Sequence, residues 1–261
     1  MPETSIRPFD ASRAEIRTRV ENAPGLLLCT DFDGTLAPIE TDPAAATIRP
    51  ENRELLETLR ETGDVRVAVV SGRALSDVRE RVGIEGIAYA GNHGLELRRR
   101  GETKLHPIAR KQKETIGRIC TALEDALDGI SGTAIEDKSV TATVHYRNTP
   151  EAQVPSVRET VDAVVSRLGG GRIHRTGGKK IFELRPSVRW NKGMVVSLLA
   201  ADHEGWLPVY MGDDTTDESA FRAVSDGLPI YVGTAKSNAR YRIPQQSDVA
   251  DCLSDLVEWH T

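Results

Sequence analysis

Two aspartates lie one residue apart immediately after a short apolar segment. The apolar run is Leu26–Thr30, and Asp31, Asp33 and Gly34 follow it. Residues at positions i and i+2 of an extended segment point to the same side, so the two carboxylates would repel each other unless a cation or a shared proton lies between them. Gly34 lets the backbone turn tightly and approach a ligand. Such a pair can supply a nucleophile and an acid/base beside a metal, although strand-to-turn junctions also favour Asp and Gly.

Three further polar, glycine-containing segments follow apolar runs. They are Ser71-Gly72-Arg73, Gly91-Asn92-His93-Gly94 and Gly212-Asp213-Asp214-Thr215-Thr216-Asp217-Glu218. Because ligands bind beyond the carboxyl ends of parallel strands, we expect the five aspartates of the first and last segments to converge. Like charges at close range raise one another's pKa, and a divalent cation relieves the repulsion. Ligands that are all oxygen favour magnesium over zinc or copper.

The same edge of the sheet contains groups suited to a phosphoryl group. Ser71 offers a hydroxyl and Lys192 a positive charge, each near a helix start, where free amides favour anions. Carboxylates, magnesium, lysine and serine are the components of phosphoryl transfer. Structural alternatives stay open: Ser71 could cap a helix, and His93 could be a turn residue with a left-handed backbone. Asp213 and Asp214 could be an acid pair at a helix N-terminus.

Hydrophobic patterning predicts an α/β fold with an insertion. Helix and strand segments alternate in the first part, for example 50–61 and 65–70, and again after Pro186, which favours a mainly parallel sheet flanked by helices. The middle reads as helix, two strands, helix, two strands. We therefore predict a Rossmann-like core of residues 1–103 and 187–261, and an inserted α+β cap (αββαββ) of residues 104–186.

Composition limits the classes of partner. The net charge of −5 argues against a general nucleic-acid or membrane-surface binder. No apolar run approaches bilayer length, and the first residues lack the apolar region of a signal peptide. The three cysteines are widely spaced and resemble buried, reduced thiols. We expect a cytoplasmic monomer that acts on a small molecule, without nucleic-acid or membrane partners.

The polar segments resemble the motifs of the haloacid dehalogenase superfamily. With four further features, the match is to the trehalose-6-phosphate phosphatases of that superfamily and spans essentially the whole chain. These features are Gly91-Asn92-His93-Gly94-Leu95-Glu96, the Glu-x-Lys of Glu136 and Lys138, Phe182-Glu183-Leu184-Arg185-Pro186, and Asn191-Lys192-Gly193. The resemblance implies a magnesium-dependent phosphatase that converts trehalose 6-phosphate to trehalose and phosphate through an aspartyl-phosphate, with the cap setting substrate specificity.

The resemblance also implies roles for individual residues. Asp31 is the nucleophile and Asp33 the general acid and base. Ser71 and Lys192 bind the phosphoryl oxygens and complete the catalytic set. The magnesium ligands it implies are Asp31, Asp33 through its backbone carbonyl, Asp213 and Asp214. The substrate-binding residues it implies are Gly34, Arg73, His93, Glu136, Lys138, Glu183 and Asp217.

Other functions remain as alternatives. A related phosphatase acting on sucrose phosphate or on mannosyl- or glucosyl-phosphoglycerate differs by sequence only in the cap motif. A phosphomutase uses the same aspartyl-phosphate, and a non-catalytic regulatory subunit would typically lack Asp31 or Asp33, both of which are present. In the cap, a cross-strand ion pair is an alternative role for Glu136 and Lys138.

Overall fold

The computed structural model describes residues 6–260. The chain forms two compact units: one runs to Lys104 and resumes at Trp190, and the other is Leu105–Arg189. The strands, in chain order, are β1 Arg7–Pro8, β2 Leu26–Thr30, β3 Val65–Val70, β4 Ala88–Gly91, β5 Glu96–Arg99, β6 Glu102–Leu105, β7 Ala134–Asp137, β8 Ala142–His145, β9 Ile173–Gly178, β10 Ile181–Pro186, β11 Leu207–Gly212, β12 Leu228–Val232 and β13 Tyr241–Ile243. The α-helices are α1 Arg13–Glu21, α2 Pro50–Glu61, α3 Leu75–Val82, α4 Pro107–Leu127, α5 Val154–Gly169, α6 Lys192–Ala200, α7 Glu218–Ala223 and α8 Val249–His260.

The sheet of the first unit is mostly parallel. Its order is β1-β13-β12-β11-β2-β3-β4-β5-β6, and the pairs from β1 through β4 are parallel while β4 and β5 are antiparallel. The central strand β2 lies between β11 and β3, although these neighbours are far apart in the chain. The carboxyl ends of the three strands are therefore adjacent, and the segments that follow them meet at one edge.

Helices cover both faces of this sheet. Leu26 and Leu28 of β2 pack in a core to which α1, α2, α3 and α8 contribute, whereas Leu27 and Cys29 pack against α6 and α7. Since successive side chains of a strand point to opposite faces, only a strand apolar throughout can be buried on both. This burial explains the uninterrupted apolar run before Asp31.

The second unit has a four-stranded antiparallel sheet in the order β7-β8-β10-β9. Helices α4 and α5 supply Ile116, Leu123 and Val161 to its core, where they meet Phe182 and Leu184 of β10. The alternation along β10 leaves Glu183 on the opposite face. With this sheet, the predicted α/β fold class with an α+β insertion is confirmed.

Several elements differ from the sequence prediction. Helix α1 was not predicted, because only Ile16 and Val20 are buried along its nine residues and its apolar stripe is narrow. Strands β1, β6 and β13 were also missed, since two to four residues are too short for a recognisable alternation. Within residues 6–260, no helix combines the length and apolar character needed to cross a bilayer.

The buried ring of Phe182 gives a test of the second unit's core. Phe182 is 2 % exposed, and its ring centroid lies 4.5 Å from that of Tyr146. We expect Phe182→Ala to lower the free energy of unfolding by about 3–5 kcal/mol, because it removes a large buried side chain and leaves a cavity. Guanidinium titration of the full chain measures this loss. The control is Ile108→Ala on the same unit, which is 40 % exposed and should cost less than about 1 kcal/mol. Equal losses would contradict the packing described.

Candidate active site

Three carboxylates and one ammonium group meet at the carboxyl edge of the first unit's sheet. Asp31 follows β2, Asp213 follows β11, and Asp217 lies one 3₁₀ turn further on. Each offers a carboxylate oxygen, and these oxygens lie within 4.8 Å of one another. The Lys192 Nζ lies 2.8 Å from Asp31 Oδ2 and 2.7 Å from Asp217 Oδ1. The sequence prediction that segments distant in the chain converge here therefore holds for Asp31, Asp213 and Asp217.

Lys192 reaches the cluster from the start of α6. Asn191 caps this helix by accepting a hydrogen bond from the Met194 N–H. The Lys192 side chain is only 2 % exposed. Burial alone would lower the pKa of Lys192, but Asp217 and Asp31 outweigh it and raise that pKa above its usual value. Lys192 is therefore a permanent buried cation.

For Asp31 and Asp213 the raised pKa values favour the neutral form, whereas the raised pKa of Lys192 favours its charged form. Burial raises the pKa of Asp31 well above its usual range against the opposing charge of Lys192, and Asp217 and Asp213 raise it further. Burial, followed by the charge of Asp217, raises the pKa of Asp213 to about 7. One ammonium group thus does not balance three carboxylates, and a bound divalent cation would remove the remaining repulsion.

The turn after β2 packs closely against Asp213. Gly34 has φ +79°, and a Cβ added there would overlap the Asp213 carboxylate. The Thr35 hydroxyl donates to Asp213 Oδ1 at 3.3 Å. A glycine is required here both by the left-handed backbone and by the close approach. Clustered oxygen donors, held by a tight turn and with excess negative charge, fit a hard cation such as magnesium.

Two of the predicted site acids have other positions than expected. Asp217 is fully buried: its Oδ1 accepts from Lys192 and from the Tyr210 hydroxyl at 2.6 Å, and its Oδ2 accepts from the Asp214 N–H at 3.0 Å. Both oxygens of Asp217 thus have partners within the protein, and its predicted substrate-binding role stays a prediction. Asp214 is exposed and caps the turn through Thr215, so the N-terminal acid alternative applies to Asp214 and not to Asp213.

Asp33 lies apart from this cluster. After Asp31 the chain turns, with the Ala37 N–H donating to the Phe32 carbonyl, so the rule that residues i and i+2 of a strand point alike does not hold. The Asp33 carboxylate is held instead by Arg73, with Nε–Oδ2 and Nη2–Oδ1 distances of 2.7 Å. The predicted convergence of five carboxylates is wrong on this point.

Arg73 has several protein acceptors. Besides Asp33, it donates to Asp77 Oδ2 at 2.9 Å and to the Pro43 carbonyl at 2.8 Å, and its guanidinium lies 5.4 Å from the Phe32 ring centroid. Its side chain is 13 % exposed. Every nitrogen of the guanidinium has a protein acceptor, which favours a positioning role, and its role as a substrate ligand stays a prediction.

The loops carrying Ser71 and His93 are tied together. The His93 N–H donates to the Ser71 carbonyl at 2.9 Å, and the Asn92 N–H donates to the Arg73 carbonyl at 2.7 Å. Asn92 and His93 have φ of 50° and 55°, so the left-handed turn alternative is realised at His93. The Ser71 hydroxyl accepts from the Arg73 N–H at 3.1 Å, a local turn bond that leaves its own proton free to donate.

Two supporting residues were missed by the sequence prediction. Tyr210 lies inside an apolar strand, where nothing in the pattern distinguishes it from a core aromatic. Glu96 was quoted only as part of a motif, yet its Oε2 accepts from the Asn92 side-chain amide at 2.7 Å and from the Leu75 N–H at 3.0 Å. It thereby joins the strained His93 loop to the start of α3.

The predicted sugar-binding residues lie together on the sheet of the second unit. Glu136 Oε2 is 2.9 Å from His145 Nε2 and 3.9 Å from Lys138 Nζ, and Glu183 Oε2 is 3.9 Å from Arg185 Nη1. The cross-strand pairing alternative is realised between Glu136 and His145. All these residues lie on the polar face of the sheet, so a hydrogen-bonding role stays a prediction.

Comparisons with known proteins agree with this site. The family model for trehalose-phosphatase matches residues 29–248. The chain is 38 % identical over 278 aligned positions to a trehalose-phosphate phosphatase of Mycobacterium bovis, covering 98 % of this chain and 70 % of that protein. It is 31 % identical over 253 positions to trehalose-phosphate phosphatase B of Arabidopsis thaliana, covering 90 % and 67 % respectively.

Longer relatives and solved structures extend the comparison. The chain is 36 % identical to an uncharacterized glycosyl hydrolase of Mycobacterium tuberculosis and spans only 18 % of it. Its fold matches the C-terminal domain of a Candida albicans trehalose-6-phosphate phosphatase with a TM-score of 0.80 at 21 % identity, covering 98 % of this chain and 99 % of that one. A trehalose-6-phosphate phosphatase related protein gives the same TM-score at 23 % identity, covering 89 % and 97 %. The chain therefore belongs to the trehalose-phosphatase family of the haloacid dehalogenase superfamily.

Proposed function

We propose that the protein hydrolyses trehalose 6-phosphate to trehalose and phosphate, with magnesium as cofactor and Asp31 as nucleophile. The observation that carries the proposal is the buried Asp31 carboxylate, held by Lys192 beside Asp213 and Asp217. Family membership supports phosphoryl chemistry at this site, and the names of the relatives support the sugar.

Contacts to both oxygens fix Asp31 for attack. Its Oδ1 accepts from the Phe32 N–H at 2.8 Å and its Oδ2 from Lys192. In the proposed first step, one oxygen of Asp31 attacks phosphorus, the bond from phosphorus to the sugar oxygen breaks, and Asp33 protonates that oxygen. Asp33 then takes a proton from water, which attacks the aspartyl-phosphate and releases phosphate. Lys192 and Ser71 donate to phosphoryl oxygens through both steps.

Magnesium fits the oxygen donors of this site. Asp31, Asp213 and the Asp33 backbone carbonyl would hold the ion, with Asp214 and Asp217 in supporting positions. When bound, magnesium offsets the charge of the phosphoryl oxygens. Asp217 acts on Lys192, which it keeps beside the nucleophile.

We propose that residues 104–186, nearly all of which lie in the second unit, form a cap that sets the sugar specificity. Glu136, Lys138 and Glu183 would hydrogen-bond the hydroxyls of the disaccharide, and His93 and the Gly34 turn would line the phosphate side. A site with buried polar groups rejects substrates that leave those groups unpaired. Phosphatases for sucrose phosphate or for phosphoglycerate-linked sugars differ in this face, so they are the competing assignment. We also propose that the protein acts in the cytoplasm as a monomer, without nucleic-acid or membrane partners.

Phosphate release is the direct test of the proposal. We expect turnover of trehalose 6-phosphate with magnesium, loss of turnover with a chelator, and recovery when magnesium is restored. Asp31→Asn should lower kcat by at least about 10³-fold while the melting temperature stays near that of the wild type, because the nucleophile is removed without a change in shape.

A panel of phosphorylated sugars provides the control. Faster turnover of sucrose 6-phosphate or of a phosphoglycerate-linked sugar would replace the proposed substrate with that one. Isomerised sugar phosphate without free phosphate would indicate a mutase. No phosphate from any substrate would contradict the proposal.

We further propose that Arg73 positions the acid/base Asp33. If so, Arg73→Met should lower kcat for trehalose 6-phosphate by about 10–100-fold with little change in KM, because a sugar oxygen needs a proton to leave. Hydrolysis of p-nitrophenyl phosphate should fall much less, since nitrophenolate leaves without a proton. Steady-state kinetics on both substrates, with Arg73→Lys as the conservative variant, measures the difference.

The matched control for Arg73 is Arg81→Met. Arg81 also pairs with Asp77, at 2.7 Å, and donates to the carbonyls of Ala44 and Ala46, but it does not contact Asp33. Both activities should survive in this variant. A rise in KM for both substrates on changing Arg73 would instead identify it as a phosphate ligand.

A further inference from the structure

One hydroxyl on the polar face of the second unit's sheet lacks a partner. Thr143 lies on β8 between Ala142 and Val144, both of which pack into the core of the unit. Because side chains alternate along a strand, Thr143 lies on the opposite face. The residue is 1 % exposed, and its Oγ1 has no hydrogen-bond partner within residues 6–260. A buried hydroxyl without a partner lowers the stability of the fold. A role of Thr143 in binding would account for its presence.

Thr143 is the centre of a polar row that crosses the sheet. Glu136 of β7 lies directly opposite it on one side, Glu183 of β10 lies opposite it on the other, and Thr176 of β9 follows Glu183. Adjacent strands are about 4.8 Å apart, so the Cα atoms of the two glutamates are separated by about 9.6 Å with Thr143 midway. The threonine side chain is shorter than its neighbours and forms the floor between them.

Each of the two glutamates has a positively charged or protonatable side chain nearby, and neither forms a hydrogen bond with the Thr143 hydroxyl. Glu136 lies beside His145 and Lys138, and Glu183 lies beside Arg185. The row therefore presents carboxylate acceptors on both sides of a hydroxyl that can both donate and accept. Neighbouring hydroxyls of a sugar can both donate and accept and so match this alternation, whereas a phosphate dianion has no proton to donate to the two carboxylates.

We infer that Thr143 is a specificity-determining residue whose Oγ1 exchanges a hydrogen bond with a hydroxyl of the substrate's sugar. This inference rests on the proposed function and adds a residue that none of the motifs in the sequence contains. It assigns the sugar, and not the phosphate, to the row of Glu136, Thr143 and Glu183.

The test removes the hydroxyl and keeps the shape. Thr143→Val should raise KM for trehalose 6-phosphate about five- to tenfold, the effect of one neutral hydrogen bond. KM for p-nitrophenyl phosphate, which has no sugar, should stay within about twofold. Thr143→Ser, which keeps the hydroxyl, should retain the low KM, and Thr143→Ala should not. The Ser and Ala variants differ only in the hydroxyl, so their comparison decides the matter if valine disturbs packing.

The matched control is Thr149→Val. The Thr149 Oγ1 also lacks a partner in the described chain, and the residue is 7 % exposed, but it lies outside the strands of the sheet. Both KM values should be unchanged in this variant. Melting temperatures of both valine variants should equal or exceed that of the wild type, because no internal hydrogen bond is lost and a buried hydroxyl without a partner is removed.

The outcomes separate this inference from the proposed function. Hydrolysis of trehalose 6-phosphate with the same KM in the wild type, Thr143→Val and Thr143→Ala would overturn the role of Thr143 and leave the proposed function intact. An equal rise in KM for the aryl phosphate, or an equal effect of Thr149→Val, would also overturn it. A wild type that hydrolyses p-nitrophenyl phosphate but no sugar phosphate would overturn both.

Discussion

The contact of Lys192 with Asp31 and Asp217 is the interaction on which the site depends. Burying any one of these charges alone would be costly, and together they are tolerated because one oxygen of each carboxylate lies within 2.8 Å of the ammonium group. Asp31 follows β2, Asp217 follows β11, and Lys192 begins α6, so the contact requires that the ends of two adjacent strands and the start of a helix meet at one point. Close packing of α6 makes this possible: a Cβ on Gly193 would overlap the Ser219 carbonyl, so a larger residue would push α6 away.

Strand topology made this part of the site predictable from sequence. Apolar runs that end in Asp or Ser mark the carboxyl ends of buried parallel strands, and that edge is where ligands bind. The position of Asp33 was not predictable in the same way, because it depends on the turn that follows β2 and on the distant partner Arg73. The role of Tyr210 was missed for another reason. The hydrophobic pattern of a strand is the same whether the hydroxyl of a tyrosine in it is only structural or supports a site.

Rigid neighbours hold the groups that surround the cluster. Asn92 and His93 are consecutive residues with left-handed backbone, a conformation that costs on the order of 1–3 kcal/mol for each residue and persists only when the surroundings impose it. Here the backbone bonds to Ser71 and Arg73 and the carboxylate of Glu96 impose it. The Arg73 backbone carbonyl accepts from the Asn92 N–H, and the Arg73 guanidinium holds the Asp33 carboxylate. One residue therefore fixes both the loop that carries His93 and the proposed acid/base.

The two units differ in how their charged side chains are arranged. In the first unit, carboxylates are clustered around one lysine, and the excess negative charge suits a divalent cation and, through it, a phosphoryl group. In the second, glutamates sit beside their own cations and flank a neutral hydroxyl, an arrangement of acceptors and a donor that suits a polyhydroxylated molecule. The proposed substrate class carries both kinds of group, because its phosphate is an anion and its sugar is neutral and rich in hydroxyls. In each unit by itself, a ligand without the matching group would leave polar side chains unpaired, and binding would be weaker by the cost of those groups.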